Sequence, residues 1–262
     1  WMLEHDYEEN PHIRDGDIFA TNDPRAGCAH PADCYTYVPI FHEGKTVAWA
    51  AAITHILDAG HPFVGSIPSY APNTFFDGFL YPPMKVGQEF IYQQWFDWLW
   101  RRRTRTPDFN ILDEKARGAG CLLIRQKILE IIEEFGLDYF LEALSEVIEL
   151  GRRRAQEIYR TVLVPGRYRA VYFSPILYKG YMPMFPESDK NWLLHFPQTL
   201  HVLPEGRMRL EHEGISSWDW FHVNATESIA TAVYYLGLVA YVAYDIGYNS
   251  GIILQLDWNI PE

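Results

Sequence analysis

Tyr35-Thr36-Tyr37-Val38-Pro39-Ile40-Phe41, then His42-Glu43-Gly44-Lys45, then Thr46-Val47-Ala48-Trp49-Ala50-Ala51-Ala52-Ile53: two β-favouring runs flank a tight turn that contains glycine. That pattern is the signature of a β-hairpin. Its pairing has a consequence at the open end. If Glu43 and Gly44 form the centre of a two-residue turn, position 32 sits opposite position 55. A one-residue bulge at Gly44 instead puts Asp33 opposite His55. Either register sets His55 beside Asp33, with His30 a few residues further out in Cys28-Ala29-His30-Pro31-Ala32-Asp33-Cys34.

Two imidazoles and one carboxylate converging on a point make a divalent-metal constellation with positions left open for substrate. The donor set suits Mn, Fe or Zn. A metal held there polarises a carbonyl or stabilises an enolate. The plainer alternative is that these are separate loop residues satisfying backbone groups. A structural zinc on Cys28 and Cys34 competes less well, because no fourth ligand is evident and Cys-x5-Cys is not a usual knuckle spacing. Around the cluster, Asp23 in Asn22-Asp23-Pro24 either orients a ligating histidine or forms an Asx-turn. Asp58 and His61 lie in a Gly- and Pro-rich loop that either lines a pocket or is plain loop. Phe63, Tyr70, Phe75 and Phe76 could shape a small apolar pocket. Arg101, Arg103 and Arg105 form the most basic run, read either as a solvated face or as an anion contact. Arg152, Arg153 and Arg154 read as an exposed helix face.

Further along, Ile124, Ile128, Ile131, Ile132 and Phe135 recur at helical spacing, and Gly136 stops the run. A second helix from about Asp138 is expected to bury Leu141, Leu144, Val147, Ile148 and Ile158 and to end before Pro165-Gly166. Strand-like runs return at Tyr168–Phe173, Thr199–Leu203 and Met208–Glu213. Asn224-Ala225-Thr226-Glu227 then reads as an N-cap opening a buried helix to about Asp245. The predicted class is α+β: mixed sheets with a metal-bearing β-hairpin, a central helical hairpin and a later buried helix. The expected regions are 1–112, β-rich and metal-binding; 113–165, helical; and 166–262, strands followed by the helix.

The chain has 262 residues and a formal net charge of −12, so general binding to nucleic acid is disfavoured. Aromatic residues make up 16%, which points to extensive buried or interface surface. Three cysteines and no secretory segment imply a reducing, cytoplasmic setting. The longest nearly apolar stretch, Ile229 to Tyr244, is shorter than the about 20 residues that a membrane span needs. No Gly-x4-Gly-Lys-[Ser/Thr] loop, Gly-x-Gly-x-x-Gly, Gly-x-Ser-x-Gly or His-Glu-x-x-His occurs. If ATP drives the chemistry, another chain handles it. The chain opens on Trp1 and closes in what reads as mid-loop, as an internal part of a longer subunit would.

Several stretches together resemble the hydantoinase B/oxoprolinase family: Asp15-Gly16-Asp17-Ile18-Phe19-Ala20-Thr21-Asn22-Asp23-Pro24, His30-x-x-Asp33, Val38 to Lys45, His55, Gly65-Ser66-Ile67-Pro68 and Ala232-Val233-Tyr234-Tyr235. Trp100 to Gly120, including Arg103-Thr104-Arg105-Thr106-Pro107, is most similar to the acetone-carboxylating branch, in its large alpha subunits. That resemblance implies conversion of acetone and bicarbonate to acetoacetate, with ATP going to AMP and two phosphates. It implies a nucleotide-binding beta subunit, a small gamma subunit and a heterohexamer. It also implies manganese on the alpha subunit, with His30, Asp33 and His55 matching the ligand positions; zinc and iron are the alternatives. The remaining readings are an ATP-dependent hydantoinase or 5-oxoprolinase subunit, a subunit acting on another ketone of the acetophenone type, and a structural scaffold.

Overall fold

The computed structural model describes residues 1–65, 71, 73–177, 179–180, 189–217 and 226–259. The chain divides into two compact units, one of residues 1–141 and 219–230, the other of residues 142–218 and 231–262.

The first unit is built on an antiparallel five-stranded sheet. In chain order its strands are β1 (Ile18–Thr21), β2 (Asp33–His42), β3 (Lys45–His55), β4 (Met84–Gln88) and β5 (Ile91–Tyr92), arranged 3-2-1-4-5. β2 and β3 form the hairpin. Glu43 and Gly44 both take positive φ, 49° and 77°, as a two-residue hairpin turn of the right twist requires. His42 pairs with Lys45 and Phe41 with Thr46, but Ile40 pairs with Ala48. The extra residue is therefore Val47, one turn up the second strand, and not Gly44. From there the register runs unbroken to Asp33 opposite His55. Period-two alternation then sends Cys34, Val38, Ile40 and Ala50 into the core and leaves Tyr35, Tyr37 and Ile53 with Asp33 and His55 on the other face.

Two helices follow, α1 (Gln94–Arg103) and α2 (Pro107–Phe135). Residues 94–103 fall in the stretch expected to be β-rich. Their aromatics are strand-formers by type, yet Phe96 and Trp100 are spaced four apart and both are buried, which is helical periodicity. Burying two such rings contributes roughly 1.5–3 kcal/mol each. Pro107 at the first helical position starts α2 six residues before the expected boundary, because its fixed φ suits that position and its missing N–H is not needed there. α2 packs across β2 and β3, so its partner is the sheet where a helical hairpin was expected. A third helix, α3 (Leu137–Val162), follows Gly136. Leu141, Leu144, Val147 and Ile148 on α3 are exposed and not buried. Helical spacing identifies an apolar face; it does not supply the surface that covers it.

The second unit holds β6 (Gly166–Ile176), β7 (Trp192–Val202), β8 (Met208–Glu211) and β9 (Leu256–Asn259) in that spatial order, with β8 and β9 parallel. Its core gathers Ala155, Tyr159, Val202, Met208, Leu210, Ile252 and Leu256. The last helix, α4 (Glu227–Tyr241), exists but is not buried: Tyr235, Leu238 and Val239 pack on that core while Val233, Leu236 and Tyr241 stay exposed. Its expected cap at Asn224 lies outside the described residues.

Gly118 of α2 meets the first sheet so closely that a Cβ there would lie 2.3 Å from the Tyr92 hydroxyl, which is itself bonded to Glu114. Gly118→Ala should therefore lose roughly 1–2 kcal/mol of stability by overpacking, outweighing the gain in helix propensity. Urea unfolding reads this, and a more stable variant would contradict the packing described.

Candidate metal centre

The site forms at the open end of the β2–β3 hairpin. Asp33 is the first residue of β2 and His55 the last of β3, and they occupy the final rung. His55 Nδ1 lies 3.0 Å from Asp33 Oδ1, and His30 Nε2 lies 3.2 Å from Asp33 Oδ2. The two imidazoles stand edge to face with centroids 4.8 Å apart. One ligand atom from each of the three residues falls within 4.8 Å of the others, the grouping of this kind found among the described residues. Asp33 is the most enclosed, with 14% of its side chain exposed, while His55 is 47% exposed, so the cluster is open on one side.

His30 reaches Asp33 because a short turn returns the chain: the Asp33 N–H donates to the His30 carbonyl at 2.9 Å. The loop carrying it is held by Asn22, which is fully buried. Asn22 Nδ2 donates to the carbonyls of Pro31 and Phe79, both at 2.7 Å, and Asn22 Oδ1 accepts from the Tyr81 N–H at 2.9 Å. The sequence reading passed over Asn22 as a turn residue. Its adjacency to Asp23-Pro24 masks a side chain that crosslinks three segments.

Burial lowers the pKa of His30 from its ordinary 6.5; Asp33 opposes that shift and His55 reinforces it. A neutral imidazole is the ligand form, so the environment favours binding over protonation. The donor chemistry thus fits a divalent ion: two imidazoles, one carboxylate and open positions. The thiols do not join. Cys28 and Cys34 are buried, and burial pushes Cys34 up to about 12 and Cys28 higher still, which disfavours the thiolate that zinc needs.

The other expected residues have partners of their own. Asp23 accepts from the Arg25 N–H at 2.9 Å and caps the turn Pro24–Ala26, the Asx arrangement. Asp58 is buried and takes both contacts of Arg105 Nη1, at 2.8 and 3.1 Å, while Arg105 Nη2 donates to the His61 carbonyl. This pair ties the 58–61 loop to the start of α2. His61 is buried too, and its pKa is lowered by burial against the pull of Asp58. Arg101 pairs with Asp108, and Arg103 lies over the Phe79 ring. Each of the three arginines thus has a described contact with a residue outside the cluster. Phe75 is exposed, so it is no pocket wall within this chain, and Tyr70 lies outside the described residues.

The sequence matches the hydantoinase B/oxoprolinase family over residues 1–262. It is 30% identical across its whole length to the acetone carboxylase alpha subunit of Xanthobacter autotrophicus, covering 34% of that protein. It is 32% identical over 62% of its length to the acetophenone carboxylase delta subunit of Aromatoleum aromaticum, covering 24% of that protein. A nucleotide-free acetone carboxylase structure superposes with a TM-score of 0.92 at 30% identity, covering 99% of this chain and 34% of that one. The ATP-dependent caprolactamase of Pseudomonas jessenii shares the fold, with a TM-score of 0.80 at 19% identity, covering 99% of this chain and 42% of that one. The chain spans about a third of the length of the carboxylases it resembles. Among the described residues no helix is long and apolar enough to cross a membrane.

Two outcomes follow from this geometry. Asn22→Ala leaves the Tyr81 N–H without its acceptor and frees the 23–32 loop, so it should cost about 2 kcal/mol of stability; a urea midpoint equal to wild type would contradict the clamp. His30 and His61 both have depressed folded pKa values, so the unfolded chain binds those protons first as pH falls. The stability they carry is complete above about pH 6.5 and is lost as pH drops through the folded values. Unfolding midpoints should therefore fall between pH 7 and pH 5, and His61→Gln should flatten the decline.

Proposed function

The chain belongs to the hydantoinase B/oxoprolinase family, and we propose that it is the metal-bearing part of a ketone-carboxylating enzyme subunit acting on acetone. The observation that carries the reading is the convergence of His30, Asp33 and His55 in a chain alike over its whole length to an acetone carboxylase alpha subunit. Those three side chains would hold a divalent ion, with manganese first and zinc or iron as alternatives. Bound there, the ion supplies Lewis-acid polarisation of a carbonyl oxygen, which stabilises the enolate needed for attack on CO2.

The chain's own residues prepare that chemistry. Asp33 contacts both imidazoles and fixes their orientation toward one point. Two neutral imidazoles and a single carboxylate leave a net positive centre, which suits a developing oxyanion. Tyr35 and Ile53 occupy the neighbouring rung on the same sheet face and present an aromatic and aliphatic surface beside it. Burial, then Cys28 and Asp33, raises the Tyr35 pKa, so its hydroxyl stays protonated near neutral pH. In this reading phosphorylated intermediates come from another chain, in keeping with a sequence that has neither Gly-x4-Gly-Lys-[Ser/Thr] nor Gly-x-Gly-x-x-Gly. A nucleotide-binding beta subunit and a small gamma subunit, in a cytoplasmic heterohexamer, complete the assembly in this reading.

Element-resolved analysis of the protein purified with its bound partner chains tests the proposal. About one manganese per copy is expected, lost in His55→Ala together with ATP-dependent fixation of labelled bicarbonate into acetoacetate. Turnover of hydantoin or 5-oxoproline in place of acetone would move the subunit to the amide-hydrolysing branch. Unchanged metal content and activity in His55→Ala would leave a scaffold.

A further inference from the structure

Behind the cluster, on the opposite face of the sheet, α2 inserts a charge into the core. Arg117 and Glu114 are each 2% exposed and pair at 2.5 Å. An ion pair so deeply buried gains little net stability over apolar residues of similar volume, so its placement asks for another explanation. The contacts supply one. Arg117 Nε donates to Thr36 Oγ1 of β2 at 3.1 Å, and Arg117 Nη1 donates to Thr54 Oγ1 of β3. Thr36 Oγ1 in turn donates to Glu114 Oε1 at 2.8 Å, and the Tyr92 hydroxyl lies 2.8 Å from the same oxygen.

One guanidinium therefore grips both strands of the hairpin just behind its last rung. Thr54 directly precedes His55 and pairs with Cys34, the residue after Asp33. β3 is an edge strand of its sheet, paired with β2 and joined to it just past the last rung by a bond from the Ile56 N–H to the Ala32 carbonyl. The position of a ligand at the end of such a strand follows any twist between the two strands. Metal ligands tolerate displacements of only about 0.2 Å from ideal distance. A fork-shaped donor bridging the two strands limits that twist, and a lysine's point charge cannot.

We propose that Arg117, acting through Thr54 and oriented by Glu114, is a positioning residue that fixes His55 relative to Asp33 and so sets the divalent-metal affinity of the cluster. The inference rests on the metal reading above.

The test is titration of the full chain with Mn2+ alone, following loss of the free-ion resonance, in wild type, Thr54→Val, Thr54→Ser and Arg117→Lys. Thr54→Val keeps the branched shape and removes the acceptor; it should weaken binding by about 10-fold or more, in the range of outer-shell changes at metal sites. Arg117→Lys should do the same. Thr54→Ser, which keeps the hydroxyl, should stay within about threefold of wild type. Ile132→Ala, a buried change fifteen residues further along α2 from Arg117, should lower the unfolding midpoint without moving the affinity. Affinity that merely tracks stability across all four variants, or equal binding by Thr54→Val and wild type, overturns the positioning role alone. Absence of Mn2+ binding in wild type overturns the metal reading and this inference with it.

Discussion

Everything at the cluster depends on one rung of backbone pairing, Asp33 opposite His55. The rung is set eight pairs away, where Val47 adds a residue to the second strand and shifts every later partner by one. Without that residue Ala32 would face His55 and Asp33 would face Thr54, and period-two alternation would carry His55 to the core side of the sheet while Asp33 stayed on the open face. An imidazole there would sit beside Ala32 and Cys34 with no water to solvate it. The bulge is thus the local irregularity that brings His55 to the open face beside Asp33.

The rest of the first unit can be understood as support for that geometry. Asn22 anchors the loop that brings in His30, the Asp58–Arg105 pair anchors the loop that leaves His55, and α2 backs both strands with a buried polar network. These contacts come from segments distant in sequence and meet around two strand ends. Polar networks of this kind stabilise only when every member has a partner. Glu114, Arg117, Thr36, Thr54 and Tyr92 meet that condition together. Their value lies in fixing one arrangement of the strands, since an apolar core would serve stability as well.

The hairpin and the triad were legible in the sequence because both rest on short-range rules: a glycine turn, alternating residues and a countable register. The bulge was legible as a possibility but not in its place, since nothing in Thr46-Val47-Ala48 distinguishes a bulged valine from a paired one. α1 was missed because Trp95, Phe96, Trp98 and Trp100 favour strands by type, and the i, i+4 spacing of its two buried rings was the available signal. Arg117 was missed because Glu114 and Arg117, three apart on a helix, have the spacing of an ordinary surface pair. Gly118 and Cys121 nearby hinted that this side of α2 is packed closely. The apolar stripe of α3 and the outer face of α4 were read as buried and are not. Periodicity describes a helix's own surface, and this chain spans about a third of the carboxylases it resembles.

Anomalous diffraction at the manganese edge, from crystals of the full chain grown with Mn2+, bears most directly on the central claim. A single peak within bonding distance of His30, Asp33 and His55 is the result the register requires. A peak ligated elsewhere, or none at this cluster under saturating metal, would mean that the shared rung builds a hydrogen-bonded hairpin end and no metal centre.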